Sequence, residues 1–444
     1  MSEDKKVTFN GLVTDRCRQY FGIRYAYAER FEYAKPVEYA DGTTVDATSH
    51  GPACPQLRQF HQHLDNPHRL FYYKEFREGI EFEYGEDCLV LDVYAPLDAA
   101  GCPVILFFHG GGFDSGSITE GAFDGSLFAE KGVVTVFAQY RVGVLGYLTD
   151  ESIEKKYGRD GNFGLDDQIK ALEWVRKYIG CLGGDPENIT LAGQSAGAIS
   201  IQYMCLNRDL EGRFRRVIMM SGGGKFPDFA LPKYAAETRP YWKALMETAG
   251  CSSLEELKVL PLDRLFDAVD ELKSKRKDTV YNTMPVVDGC LIPEPVGKLI
   301  KNPLKVGYMI GYTNTDMYAP VMEFIGNKFG KKNGAYIYFF DIDAPGDGNG
   351  AFHSCDLRYM FGTLDKSRRP YGDRDREASC QLATYAANFA KTGDPNGPSL
   401  PEWLPAKPGA GTRVLRLAPG QTSMGKAPYL RLLKNMLTKG DPKA

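Results

Sequence analysis

The sequence predicts an α/β fold in which one mostly parallel sheet carries helices on both faces. Three observations lead there. Continuous apolar runs at 103–108 and 133–138 have the composition of strands buried on both sides. Segments with helical spacing alternate with such runs along the chain. Residues 188–207 read as a strand, a tight turn and a helix in succession, with Gly193-Gln194-Ser195-Ala196-Gly197 at the turn.

In chain order, the first 80 residues are aromatic-rich and broken by Gly, Pro and charge, and are expected to be irregular. They hold His50, His61, His63 and His68. With no flanking carboxylate or Cys that supports a site, and with Pro67 interrupting the segment, these read as solvated loop histidines rather than metal ligands. Residues 88–94 alternate as a strand should. The buried strand at 103–108 runs into His109-Gly110-Gly111-Gly112-Phe113, where bare backbone lets amide N–H groups approach a bound oxygen. After the strand at 133–138, residues 166–179 form a helix, with Ile169, Leu172, Val175 and Ile179 on one face and Asp166 and Asp167 at its N-terminal end. Gly183-Gly184-Asp185-Pro186 turns the chain into the strand before Ser195. Beyond it, 216–221 is a strand, 234–273 is mostly helical, 306–311 and 335–340 are strands, 377–391 is a helix and 413–417 a last strand.

A chain of 444 residues, 43% hydrophobic, can bury a large core, and the even recurrence of strands and helices argues for a single domain over 1–444. The formal net charge of -3 offers no footprint for nucleic acid or an anionic membrane, leaving a small molecule as the default partner. The N-terminal MSEDKKVTFN lacks an apolar core and no run reaches a membrane span, so a soluble, cytoplasmic protein is expected. Ten cysteines, scattered and without C-x-x-C pairs, read as reduced thiols, with neither a disulfide framework nor a zinc site.

Gly193 to Gly197 has the G-x-S-x-G form of a nucleophile elbow, whose strand-to-helix turn crowds the flanking positions down to glycine and leaves the Ser exposed above the sheet. A Ser hydroxyl needs a base to take its proton, and the base needs a carboxylate to hold its tautomer. On the α/β-hydrolase fold the partners follow in the order Ser, acid, His. His353 is the only histidine after Ser195, in a Gly-rich loop following the strand at 335–340. Several carboxylates lie between them. Asp316, just past a strand end, is favoured by position, with Asp288, Glu323 and Asp347 as competitors.

The set of motifs resembles the type B carboxylesterases, the family of carboxylesterases and cholinesterases. The matching pieces run in order along nearly the whole chain: Gly51 to Gln56, Glu86-Asp87-Cys88-Leu89, the HGGGF loop, Tyr140 to Gly143, Gly161 to Leu165, the Ser195 pentapeptide and NFAKTGDPNGP near 388–398. The resemblance implies an α/β-hydrolase fold and a serine carboxylesterase with no cofactor and no metal, acting on small-molecule esters. It implies Ser195 as nucleophile, His353 as base, Asp316 as acid, and an oxyanion hole from the amides of Gly111, Gly112 and Ala196. A lipase-like esterase for longer acyl chains and a non-catalytic cholinesterase-like binding protein are the alternatives. The resemblance further suggests structural ion pairs of Arg30 with Glu86 and Arg141 with Asp167. It also marks Cys54 and Cys88 as a pair that is bridged in exported relatives. Two departures stand out: Thr315-Asp316-Met317 replaces the family's usual D-E-G, and Gln194 stands where many members have Glu. The stretch between Asp316 and His353 is also short, with room for one helix in 319–333, which implies a wider pocket mouth or a homo-oligomer that covers it.

Overall fold

A computed structural model of the chain describes residues 7–224, 231–276, 282–316, 334–406, 413–418 and 420–426. Eleven strands form the central sheet: β1 (Leu12–Val13), β2 (Arg18–Arg24), β3 (Val90–Ala95), β4 (Cys102–Phe108), β5 (Val134–Ala138), β6 (Gly184–Gln194), β7 (Arg216–Met220), β8 (Gly307–Thr313), β9 (Ala335–Phe340), β10 (Arg413–Ala418) and β11 (Gln421–Lys426). Their spatial order is β11-β10-β9-β8-β7-β6-β4-β5-β3-β2-β1. Every neighbouring pair from β5 through β4 and β6 to β10 is parallel, and the pairs toward either edge are antiparallel.

The two-residue period of a strand divides the core between the faces of this sheet. On β4, Val104, Leu106 and Phe108 join one apolar cluster, and Ile105 and Phe107 join the other. Each buried side chain of this size contributes roughly 1.5–3 kcal/mol. Helices α2 (Phe163–Tyr178), α3 (Ala196–Leu206), α4 (Ala235–Thr248) and α5 (Leu262–Lys275) pack on the first face, through residues such as Leu172, Val175, Ile199 and Leu265. On the second face lie α6 (Asp356–Phe361) and α7 (Asp373–Thr392), through Tyr359, Leu382 and Tyr385. Helices therefore cover both faces, as the alternating pattern requires.

The first 80 residues are more regular than their composition suggests. β2 pairs antiparallel with β3, and its register is held by backbone bonds that its half-exposed side chains do not advertise. Where an irregular stretch was expected, helix α1 (Pro67–Phe76) begins at the proline that interrupts the histidine segment. Pro67 occupies the first helical turn, where a missing N–H costs nothing, and the Asn66 side chain accepts from the amides of His68 and Arg69 at 3.0 and 3.1 Å.

Two buried or half-buried ion pairs tie this region down. Arg30 meets Glu86 through Nε and Nη2 at 2.8 and 2.6 Å, and Arg141 meets Asp167 at 2.8 and 2.7 Å while donating a further bond to the Glu32 carbonyl. Such bidentate geometry fixes orientation as well as charge. Among the described residues no helix is long and apolar enough to cross a membrane. The 319–333 stretch, including Glu323, lies outside the described residues.

Candidate active site

Parallel register brings the ends of β4, β6, β7 and β8 to one edge. Gly193 pairs with both Phe108 and Met219, and Met220 pairs with Gly311. Strand β6 ends at Gln194 and α3 begins at Ala196, so a single residue makes the whole reversal. That residue is Ser195, at φ 52° and ψ -119°. A non-glycine residue there is strained, and such strain persists only where the surroundings enforce it. The flanking glycines are required by contact. A Cβ on Gly197 would lie 2.1 Å from the Phe108 carbonyl oxygen, and one on Gly193 would lie 2.7 Å from the Gly197 backbone.

Asp316 follows β8 by three residues and is almost fully buried. His353 follows β9 on a loop that is tied to the exit of β8. The Ala351 amide donates to the Asn314 side chain at 3.2 Å, and the Thr315 hydroxyl donates to the Ala351 carbonyl at 2.9 Å. From the other side, the Tyr72 hydroxyl of α1 donates to the His353 carbonyl at 3.2 Å. The result is a 2.9 Å contact between His353 Nδ1 and Asp316 Oδ1. Burial pulls the imidazole pKa down, but the charge and hydrogen bond of Asp316 outweigh it, and the net shift is upward.

Ser195, His353, Gly111 and Gly112 line one pocket of about 420 Å³. Its walls include Leu57, Tyr72, Tyr73, Phe76 and Phe123, with Arg58, Arg77 and Glu120 among the charged groups. The glycine loop turns back on itself, with the amides of Asp114 and Ser115 donating to the Gly111 carbonyl at 3.1 Å. Gly111 and Gly112 sit at φ 115° and 64°. His109, just before them, is buried against Tyr140, and its Nδ1 bonds the Gly110 carbonyl at 2.8 Å. Burial lowers its pKa to about 4, so it stays neutral and braces the loop. Ala196 opens α3, where the first amides have no partner within the helix.

Of the other carboxylates considered for the acid position, Glu323 lies outside the described residues and the other two are engaged elsewhere. Asp288 accepts from the amides of Cys290 and Ile292, and Asp347 is held by Arg369. Two further side chains adjoin the site: Gln194, which the sequence marked only as a departure from the usual Glu, and Asp356, which carried no sequence signal. The Gln194 side-chain nitrogen donates to the Ser354 hydroxyl at 2.8 Å and lies 3.2 Å from His353 Nε2. Asp356 is fully buried at the start of α6, accepts from the Tyr338 hydroxyl at 2.9 Å, and is raised to about 7 by burial. Its negative charge adds to the upward pull on His353.

The carboxylesterase family model matches residues 7–331 and 316–431 of this chain. The chain is 28% identical to para-nitrobenzyl esterase of Bacillus subtilis over 460 residues, spanning 88% of each protein. It is also 28% identical to carboxylesterase 4A of Bos taurus over 472 residues, spanning 85% of this chain and 82% of that one. A solved PNB esterase structure superposes with a TM-score of 0.81 over 96% of this chain and 97% of its own, at 24% identity. That likeness establishes the α/β-hydrolase fold.

Proposed function

This chain belongs to the carboxylesterase family and is a carboxylic-ester hydrolase, and we propose that it works through a Ser195-His353-Asp316 triad and an acyl-enzyme. The observation that carries this reading is the 2.9 Å contact of His353 Nδ1 with Asp316, in the pocket that Ser195 also lines.

In this reading Ser195 Oγ attacks the ester carbonyl carbon while His353 Nε2 takes its proton. Asp316, on the other ring nitrogen, fixes the tautomer and stabilises the cation that forms. The carbonyl oxygen becomes an oxyanion held by the amides of Gly111, Gly112 and Ala196, a role supported by the bare glycine loop and the open start of α3. Collapse of the tetrahedral intermediate breaks the C–O bond, and His353 passes its proton to the departing alcohol. Water, deprotonated by His353, then releases the acid from Ser195. The proposal includes a single domain and a cytoplasmic location.

Turnover of a graded series of aryl esters tests the reading. Hydrolysis with an initial burst of alcohol supports an acyl-enzyme. Absence of turnover on every ester would favour a binding protein, and a rate rising steeply with acyl length would favour a lipase-like enzyme.

A further inference from the structure

We propose that His61, His63 and Asp270 form a binding site for one divalent transition-metal ion, with zinc as the ion best suited to two imidazoles and a carboxylate. The histidines follow the helical turn Leu57–Phe60, and the carboxylate comes from α5, about 207 positions further along the chain. In sequence the nearest acid is Asp65; the fold brings up two others, Asp267 and Asp270, one turn apart on the same helix face.

The donor atoms of His61, His63 and Asp270 all lie within 4.8 Å of one another. His63 Nε2 is 2.7 Å from Asp270 Oδ1, and His61 Nδ1 is 3.9 Å from Asp270 Oδ2. Zinc bonds of about 2.0 Å in a tetrahedron set donors about 3.3 Å apart, so these spacings bracket what an ion needs. Asp267 completes the arrangement. Its Oδ1 sits 2.8 Å from His61 Nε2, so it holds that nitrogen as the N–H donor and leaves Nδ1 as the lone pair facing Asp270. A carboxylate behind a ligating imidazole is the usual way a protein orients a metal ligand. All three ligands are partly exposed, with side-chain exposures of 30%, 39% and 27%, so an ion can reach them and keep a water in the fourth position.

The position gives such an ion a structural consequence. His61 and His63 face α5, and the alternate residues of the same segment, Gln62 and Leu64, line the pocket that holds Ser195. An ion on the outer side therefore clamps a piece of the pocket wall to α5. Two surface His–Asp contacts without an ion would hold it weakly.

Zinc titration of the chelator-stripped full chain, with thiols alkylated so that the exposed Cys181, Cys290 and Cys380 cannot compete, tests the site. Wild type should take up one zinc per chain, saturably, with a rise in melting temperature. Asp270→Asn and the double variant His61→Ala/His63→Ala should each lose at least about tenfold in affinity, and Asp267→Asn about tenfold through loss of orientation. Circular dichroism reports whether each variant is folded. Absence of saturable uptake by wild type, or unchanged uptake by the folded double variant, would overturn the proposal.

Discussion

Asp316 and His353 stand 37 positions apart in sequence and 2.9 Å apart in space, each at the exit of a neighbouring parallel strand. The contact singles out one carboxylate for support of the imidazolium. Asp316→Asn should therefore lower kcat by about 10⁴-fold, while Asp288→Asn, Asp347→Asn and Glu323→Gln change it by less than about threefold. Steady-state kinetics on the four purified variants checks this. A crippling loss in one of the other three would move the acid elsewhere.

The upward shift of His353 sets the acid limb of the pH profile. The base works only when neutral, so kcat/KM should fall as pH drops through a midpoint above the ordinary histidine value of about 6.5. Gln194 offers an amide N–H to Nε2, a contact that suits the neutral ring. Gln194→Glu replaces that donor by a negative charge, which favours the protonated ring. The acid limb should move to higher pH, and an unmoved limb in a folded variant would show that position 194 does not address the base.

Asp356 bears on stability as well. Its folded value of about 7 lies above the ordinary carboxylate value, so the folded chain holds this proton more tightly than the unfolded one. Between about pH 4 and 7 the folded chain keeps this proton while the unfolded chain releases it, so stability falls as pH rises. Asp356→Asn removes that cost, so the variant should gain denaturant midpoint relative to wild type as pH rises across this window. A constant difference between the two would count against a buried, titrating Asp356.

Cys54 and Cys88 are both buried free thiols. The neighbouring Cys54 thiol and burial hold the Cys88 thiol well above its ordinary value and so in its unreactive form. In freshly lysed cells both should alkylate only after denaturation, as mass spectrometry would register. A quantitative Cys54–Cys88 bridge would contradict the proposed cytoplasmic location.

How far the sequence could be read follows from which forces were local. Strand β9 was legible to the residue and α3 nearly so, because apolar runs buried on both faces leave no other reading, whereas β6 begins at Gly184, inside the stretch expected to be a turn. His353 could be reached by elimination, since no other histidine follows Ser195. The N-terminal strands were not legible. β2 is half-exposed and held by pairing with β3, which lies about 70 residues on. Pro67 misled because a proline that breaks one helix starts another, and only the Asn66 cap tells the two apart. The pairing of His61 and His63 with α5, the approach of Gln194 to His353 and the titration of Asp356 are all tertiary effects. They arise from segments that meet only once the sheet has formed.

The most direct test of the account is the hydrolysis of a short-chain chromogenic aryl ester by Ser195→Ala, beside wild type, with circular dichroism showing the same fold. The account predicts a loss of about 10⁴–10⁶-fold in kcat, what remains coming from the pocket and the oxyanion amides alone. Retention of more than a few per cent of wild-type turnover, with contaminating esterase excluded, would contradict it.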